Sequence, residues 1–593
     1  MCIFDVDKYY SRVYNACETE KTEEIMNFYE IYKNGVKATD ACFSKNTKRW
    51  TVQDENSKYF GTYASFDMLP DTADIGYVTV AVSAYCCSDS KYYRSEEMLD
   101  YIIHYSNAVV SKLNDDGTNT MYASNFHTAE NFGLEKMAYN GLVMRKYLTG
   151  GKKEAEAYDA LINAVTRLAD GCLSGGFHTP NHRWVEAAAL LSAYDLTKNE
   201  AYMNKAKKYL AEGVDCDEEG EWSERSAGVY NEHCDRVFLQ IYRVLENEEY
   251  LDAVCRNLYL MRYYLNDDYS MFTQNSRRKD KGEVGSVPMF YKATKYYADQ
   301  YLIIYALAGY LRNDATLASV AMKIYENMLA RGRGVGFVNE FLLYPELKTW
   351  EFTPVSDAIP TNYEKYQPKS NIVRKKCGDV TYSFFAKNPS FLHIDAAGIH
   401  MQMRLCSSFF AVAQFFPQNL EKTERGYKLE MRAHGEYKLP LENPDGVTTK
   451  NYWSIDYGAR ATVQPHDLDM SVEAIFSDDG VELEFDVSGC DKVPTKIELA
   501  INPGLLCEMG DVALITSAGA GAFAKSGGAR FESAAGDVLT VDGLFCRHIY
   551  ADHMRGSLDP VDGAFTLYAT DFTPIKRTLK IRVTKAKGTR MFI

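Results

Sequence analysis

Apolar side chains recur every three to four residues through most of the first 330 positions, and this period predicts amphipathic helices. Short loops containing Gly, Asn or Asp separate the helices, so many of them form consecutive hairpins. Hairpins of this kind without a strict sequence repeat favour an (α/α) toroid or solenoid. The predicted helical segments are 96–114, 135–150, 153–173, 183–197, 200–214, 231–247, 249–266, 296–313 and 315–332.

After about residue 345 the pattern changes to alternation of period two, with β-branched residues and Gly, Asp or Asn turns. This pattern predicts an antiparallel β-sandwich. Its predicted strand segments are 378–388, 393–416, 481–489, 495–502, 511–518, 563–572 and 577–587. We therefore predict an α+β multidomain chain with an N-terminal mixed segment over 1–90, an (α/α) toroid over 91–340 and the sandwich over 341–593.

Charge and composition narrow the class of partner. The net charge of −15 disfavours a generic nucleic-acid binder, and no run of 18 apolar residues predicts a membrane span. The 44 Tyr and 29 Phe residues are compatible with sugar binding, although tyrosine also fills cores. The first residues show no signal-peptide pattern, so we expect a cytoplasmic protein, or a secreted or periplasmic one if a leader has been removed. The sequence leaves the oligomeric state open.

The segment GGFHTPNHRWVE, residues 175–186, concentrates polar and aromatic groups before an apolar helix. Pro180 disfavours a helix running through His178 and His182, so this pair does not predict a helical metal site. We expect a helix that begins near Asn181, capped by that side chain. The N-terminus of this helix carries a partial positive charge, to which we expect His182 and Arg183 to add, and such a site suits an anion such as a carboxylate.

Three more polar loops stand before helices or strands: 122–136, 220–236 and 271–285. The last contains a basic cluster suited to a carboxylate or sulfate. A capping or solvated loop is the alternative in each case, and packing is the alternative for the aromatic and imidazole groups. The candidate substrate-binding residues are Asn125, His127, Arg183, Trp184, Arg225, Asn231, His233, Arg277 and Arg278.

Amide, imidazole, phenol and guanidinium groups together suit β-elimination from a uronic acid. The C5 proton lies α to a carboxylate, and its removal places further charge on that group, which donors must neutralise. A base takes the C5 proton and an acid protonates the departing O4. Tyrosine can serve in both steps when nearby cations favour the phenolate. The reaction requires no metal or organic cofactor.

The motifs PNHRW and SERSAGVYN, on two successive helix starts, resemble those of the heparinase II/III-like and alginate-lyase-like polysaccharide lyases. The architectural resemblance covers about 90–593. It implies that Asn181 and His182 neutralise the uronate and assist as base, and that Tyr230 acts as acid or as both acid and base. It also implies a histidine from the start of the sandwich, and His393 matches best.

The chain departs from the family at this last position. The family often shows His-x-His-x-Asp there, whereas this sequence has His393-Ile394-Asp395 followed by His400. The departure puts the third catalytic position in doubt and weakens the expectation of the structural divalent metal, zinc, that some members hold. The resemblance implies an acidic polysaccharide or oligosaccharide as substrate, with glycosaminoglycans favoured.

Two rival functions stay open. A glycoside hydrolase on the same helical scaffold would need two carboxylates flanking the bond, and the available ones are Glu130, Glu221, Glu224 and Asp235. A non-catalytic carbohydrate-binding protein would use the aromatic and basic groups without depending on Tyr230.

Overall fold

The computed structural model describes residues 25–44, 56, 64–65, 69–70, 74–120, 127–129, 131–281, 283–284, 287–288, 295–336, 338–396, 398–442, 449–551 and 554–585. Its α-helices are α1 (Tyr29–Ser44), α2 (Asp74–Cys86), α3 (Glu96–Ser111), α4 (Asn131–Lys146), α5 (Lys152–Ser174), α6 (Pro180–Thr197), α7 (Glu200–Leu210), α8 (Tyr230–Leu245), α9 (Glu248–Met261), α10 (Leu302–Arg312), α11 (Ala315–Ala330) and α12 (Asn339–Leu343). Short 3-10 helices are Lys279–Lys281, Ala298–Tyr301, Pro345–Thr349, Tyr452–Ser454 and Tyr457–Ala459.

The nine helical segments predicted from periodicity are all helices, with ends displaced by a few residues. In α5 the buried positions Ala157, Leu161, Ala164 and Leu168 follow the helical period. Local capping fixes some ends. Asp314 accepts the backbone N–H groups of the first turn of α11, which satisfies donors that the helix itself cannot pair. Among the described residues no helix is both long and apolar enough to cross a bilayer.

The strands lie mainly after residue 360. They are β1 (Ala64–Ser65), β2 (Leu69–Pro70), β3 (Asn119–Thr120), β4 (His127–Thr128), β5 (Glu283–Val284), β6 (Val287–Pro288), β7 (Asn362–Gln367), β8 (Ile372–Cys377), β9 (Val380–Phe385), β10 (Leu392–Ala396), β11 (Ile399–Ser407), β12 (Leu420–Lys422), β13 (Tyr427–Lys438), β14 (Thr462–Phe476), β15 (Gly480–Ser488), β16 (Pro494–Ile501), β17 (Leu506–Met509), β18 (Val512–Ile515), β19 (Gly521–Phe523), β20 (Ser526–Glu532), β21 (Val538–Phe545), β22 (Phe565–Phe572) and β23 (Ile575–Thr584).

Two large sheets form the sandwich within the described residues. One has the strand order β19-β22-β16-β11-β10-β9-β8-β7, and the other has the order β12-β13-β14-β15-β23-β21-β20-β17-β18. All neighbours are antiparallel except β19 and β22. In β15 the residues Val481, Leu483, Phe485 and Val487 are buried on one face, as the period of two requires. The predicted fold class, helices followed by an antiparallel β-sandwich, is confirmed.

The chain forms two compact units. The first comprises Met1–Gly176, Glu186–Lys207 and Tyr301–Ala358, and the second comprises Phe177–Val185, Lys208–Gln300 and Ile359–Ile593. This grouping differs from the predicted divisions at residues 90 and 340. Hydrogen bonds inside the second unit connect helical segments before residue 300 with strands of the sandwich. For example, the Arg374 guanidinium on β8 donates to the Tyr263 carbonyl, which follows α9.

Candidate active site

Helix α6 begins at Pro180, one residue before the expected cap. Proline suits the first helical position, because its fixed φ is helical and its missing N–H has no helical acceptor there. Asn181 therefore lies within the first turn, and the prediction that it is the N-cap is wrong. Its fully buried side chain donates from Nδ2 to Glu224 Oε2 at 2.8 Å and to Thr179 Oγ1 at 3.3 Å.

A buried carboxyl group, Glu224, occupies the N-terminal end of α6. It is 5% exposed and accepts both the side-chain and the backbone N–H of Asn181. Arg278 Nε lies 3.2 Å from the other carboxyl oxygen. Burial raises the pKa of Glu224, although the hydrogen bonds from Asn181 and the charge of Arg278 oppose this rise. The anion expected at this helix end is therefore supplied by the chain itself.

His182 is a neutral imidazole at neutral pH. Burial, followed by the charges of His178, Arg278 and His233, lowers the pKa of His182 to about 4. The ring centroids of His178 and His182 lie 4.8 Å apart. His182 thus adds no positive charge to the end of α6, contrary to the sequence-based expectation.

Tyr230 is the first residue of α8, and its ring meets two of the predicted groups. The Arg278 guanidinium carbon lies 4.7 Å from the ring centroid, and the His233 ring packs edge-on at 5.9 Å. Because Arg278 also contacts Glu224, it links the tyrosine to the start of α6.

The loop before Tyr230 is fixed against the loop that carries Arg278. The Gly228 N–H donates to the Asp280 carboxylate at 3.1 Å, and Ser276 Oγ donates to the same carboxylate at 2.5 Å. A Cβ at Gly228 would lie 2.8 Å from the Tyr296 ring and 2.9 Å from Thr273, so the close approach requires glycine. The Asp280 side chain therefore fixes the position of one loop relative to the other.

One group of predicted residues is brought together within the second unit. Its members come from three chain segments, around 181, 230 and 277, and are connected through Arg278 and Glu224. Arg277 is exposed beside them and donates from Nη1 to the Ser223 carbonyl at 3.2 Å. The group comprises Asn181, His182, Tyr230, His233 and Arg278, and we call it the His182–Tyr230 cluster.

Arg183 and Trp184 have internal roles. Trp184 is fully buried and donates from Nε1 to Asp215 Oδ1 at 2.6 Å. The Arg183 guanidinium stacks over the Trp184 ring at 3.8 Å and pairs with Glu212 at 2.7 Å. The fully buried Trp184 is therefore a core residue and not a substrate-binding one, whereas the predicted role of Arg183 stays a prediction.

Arg225 and Asn231 are also internal. Arg225, with a left-handed φ of 52°, donates to the carbonyls of Lys369 and Ser370, both at 2.8 Å, in the turn between β7 and β8. Asn231 is fully buried and donates to Glu221 Oε1 at 3.1 Å. These contacts fix the loop that ends at Tyr230, and they correct the prediction that Arg225 and Asn231 bind substrate.

His393 does not join the cluster. It is 1% exposed on β10, and its ring packs near Phe385 at 5.4 Å and Phe272 at 6.3 Å. Burial lowers the pKa of His393 to about 3, so it is a neutral core residue. The catalytic role expected for His393 is corrected accordingly.

The zinc held by some members of the resembling family does not fit the described residues here. His400 Nδ1 lies 2.5 Å from Asp395 Oδ1, so these two groups satisfy each other. Within the part of the chain that the structure describes, no three His, Cys, Asp or Glu side chains could hold a metal together.

Two predicted binding residues cannot be placed. Asn125 lies outside the described residues, and only the backbone of His127, in β4, is described.

Sequence reasoning missed the importance of Glu224 and His178. The sequence by itself indicates Glu224 only as a possible hydrolase carboxyl group, although it stands in the same SERSAGVYN motif as Tyr230. Its position in that motif was the sequence signal that could have placed Glu224 near Tyr230. The partner of Glu224 lies 43 residues earlier, so no local pattern reveals the pairing.

No protein-family model and no curated protein matches the sequence. Solved structures do match. A mutant of the heparan sulfate lyase of Pedobacter heparinus is similar with a TM-score of 0.50 and 9% identity, over 87% of this chain and 76% of that one. A xanthan lyase of Paenibacillus is similar with a TM-score of 0.50 and 9% identity, over 95% of this chain and 57% of that one. The chain is thus similar in fold to polysaccharide lyases.

Proposed function

We propose that the protein is a polysaccharide lyase that cleaves a uronic-acid-containing polysaccharide or oligosaccharide by β-elimination and leaves a 4,5-unsaturated uronate. The observation that carries this proposal is the position of Arg278, whose guanidinium lies 4.7 Å from the centre of the Tyr230 ring and whose charge acts on His182, so that three chain segments contribute. A proton acceptor, a phenolic donor and a cation are the groups that the reaction needs. Their position on a fold shared with polysaccharide lyases adds support.

Each group has a role that its surroundings favour. Arg278 supplies positive charge for the uronate carboxylate, whose negative charge increases as C5 loses its proton. His182 is neutral at neutral pH, the form that a base must have before it takes the C5 proton. The Tyr230 hydroxyl can donate a proton to the departing O4. We leave open whether the phenol also acts as base, because the two rings share the same cation.

The hydrolase alternative is disfavoured because the described candidate carboxyl groups are buried and hydrogen-bonded inside the protein. A hydrolase needs an acid and a base or nucleophile that both reach the sugar. Glu221 and Asp235 are buried, and they accept hydrogen bonds from the Tyr264 hydroxyl and the Trp222 indole N–H respectively. Glu224 is engaged by Asn181. Glu130, the remaining candidate, lies outside the described residues.

A glycosaminoglycan is the favoured substrate class. Arg277 is exposed beside the paired Arg278, so a second cation is available for a carboxylate or sulfate. The similar heparan sulfate lyase acts, by its name, on a polymer of this class.

An absorbance screen tests the proposal. The purified protein is incubated with heparan sulfate, hyaluronan, chondroitin sulfates, alginate and xanthan, and the ultraviolet absorbance of the unsaturated product is followed. The lyase assignment would be refuted if none of these polymers gave an increase in ultraviolet absorbance, or if new reducing ends formed without that increase.

Tyr230→Phe tests the residue assignment on the active polymer. We expect product formation to fall by at least about 10³-fold while oligosaccharide binding persists, because proton transfer is removed and the ring is kept. Tyr259→Phe is the matched control, since Arg262 lies over that ring at 4.8 Å, outside the cluster. If the protein only binds carbohydrate, the unsubstituted protein, Tyr230→Phe and Tyr259→Phe would bind the oligosaccharide equally and yield no product.

A further inference from the structure

Three positively charged side chains, those of Arg225, Arg277 and Lys387, lie on loops of the second unit that hydrogen bonds hold together. The Arg277 N–H donates to the Glu224 carbonyl at 3.0 Å. Its guanidinium adds a second bond to the same loop, from Nη1 to the Ser223 carbonyl at 3.2 Å. Arg277 is therefore fixed against the loop that carries Arg225.

The turn between β9 and β10 brings Lys387 to the same place. The N–H of the residue before Lys387 donates at 3.0 Å to the carbonyl of Asn371, in the turn between β7 and β8 that also binds Arg225. The residue after it, Asn388, donates from Nδ2 at 3.1 Å to the carbonyl of Gln274, in the loop that carries the exposed arginine. Both neighbours of Lys387 are thus anchored, and the lysine lies between the two arginines.

The charge at this place is positive, although the whole chain has a net charge of −15. Arg277 and Lys387 are exposed, and neither forms an ion pair with a residue that the structure describes. Burial, followed by the charges of Arg225 and Arg277, lowers the pKa of Lys387, so both charges that act on this lysine are positive. Glu221 and Asp217 partly offset the charge of Arg225 alone. An external anion between the exposed cations would be attracted by both and would offset their repulsion.

We propose that Arg277 and Lys387 form an anion subsite that binds a sulfate group of the polysaccharide, on a sugar next to the one whose carboxylate faces Arg278. The assignment rests on the proposed function, which supplies a uronate polymer as ligand. Arg225 touches no ligand in this scheme, because its two terminal nitrogens donate to backbone carbonyls. It adds positive charge behind the subsite.

The chemistry of the two exposed cations favours sulfate. A guanidinium has five N–H donors, of which Arg277 uses one for the Ser223 carbonyl, and an ammonium has three. A sulfate ester is ionised throughout the pH range of a folded protein and presents three acceptor oxygens to donors that approach from different chain segments. The favoured substrate is therefore a sulfated glycosaminoglycan, and hyaluronan and alginate are disfavoured.

Lys387→Gln tests the subsite, because glutamine removes the charge and keeps a polar side chain. Calorimetry measures the binding of tetrasaccharides of heparin and of chondroitin sulfate, each before and after chemical desulfation. Tyr230→Phe is the common background and prevents cleavage. We expect Lys387→Gln to weaken the tighter-binding sulfated tetrasaccharide by about three- to tenfold, and its desulfated form by less than about twofold.

Lys492→Gln is the matched control. Lys492 is also exposed, its φ of 62° matches the 61° of Lys387, and its backbone N–H likewise donates to a carbonyl, that of Thr573, at 2.8 Å. It should change the affinity for either form by less than about twofold. Lys387→Arg keeps the charge and should bind the sulfated form within about threefold of the background protein. Equal melting temperatures of the variants would show that each is folded.

Three outcomes would overturn the subsite: equal weakening of sulfated and desulfated binding in Lys387→Gln, unchanged binding in that variant, or no binding of either sulfated tetrasaccharide. The absorbance of the unsaturated product separates this result from the proposed function. If Lys387→Gln weakens binding as expected but the unsubstituted protein yields no product, the subsite stands and the lyase assignment is wrong. If product forms and Lys387→Gln changes neither binding nor rate on a sulfated polymer, only the subsite is wrong.

Discussion

Replacing Arg278 with glutamine removes the cation that connects the His182–Tyr230 cluster. Arg278 lies 4.7 Å from the centre of the Tyr230 ring and 3.2 Å from the Glu224 carboxyl group. Glutamine retains much of the side-chain length and can still donate a hydrogen bond, so the change is mainly one of charge. We expect kcat and kcat/KM to fall together, because the charge acts most strongly when the substrate carboxylate becomes more negative.

The separation gives a size for this effect. A substrate carboxylate as far from the Arg278 guanidinium as the Tyr230 ring centre is, 4.7 Å, would interact with it by about 3.5 kcal/mol at an effective dielectric constant of about 20, equivalent to about 400-fold in rate. The Arg278 side chain is 29% exposed, so water screens part of this energy. We therefore expect a loss of about 30- to 400-fold.

Initial rates of unsaturated-product formation on the active polymer, over a range of substrate concentrations, measure the loss. Arg262→Gln is the matched control, because Arg262 lies 4.8 Å from the Tyr259 ring in a similar pair outside the cluster. It should change kcat/KM by less than about twofold. A loss below about fivefold in Arg278→Gln, or a rise in KM with kcat unchanged, would refute the placement of Arg278 at the reacting group.

Three other changes test neighbouring assignments. Arg277→Ala should raise KM by about three- to tenfold with little change in kcat, since an exposed cation binds ground state and transition state alike; equal losses in kcat and kcat/KM would contradict this. Trp184→Phe should lower the free energy of unfolding by about 1–3 kcal/mol through loss of its bond to Asp215 and leave KM unchanged in steady-state kinetics. His393→Phe should reduce acid destabilisation. Because the folded-state pKa of His393 is lowered to about 3, the unfolded chain binds its proton first as pH falls from about 6.5, and stability decreases by up to about 1.4 kcal/mol per pH unit. The melting temperature of the variant should therefore fall less between pH 7 and pH 5 than that of the original protein, and parallel curves would contradict the buried neutral imidazole.

Local periodicity determined most of the secondary structure. Helix α5 and strand β15 each display their buried face in the sequence, because side-chain direction repeats every 3.6 residues in a helix and every two in a strand. Turn and capping residues then set the ends to within a few positions. The same information indicated which loops are candidates for a functional site, since clustered amide, imidazole and guanidinium groups are visible without coordinates.

The tertiary structure alone decided which of those groups lie together. Trp184 and Arg225 have residue types suited to sugar binding, but both are buried in contacts with distant segments. His182 is uncharged because burial and neighbouring charges from three segments oppose its proton. The N-terminus of α6 is filled by Glu224, which comes from 43 residues further along the chain. Protonation and hydrogen bonding depend on partners in space, whereas sequence periodicity reports only neighbours along the chain.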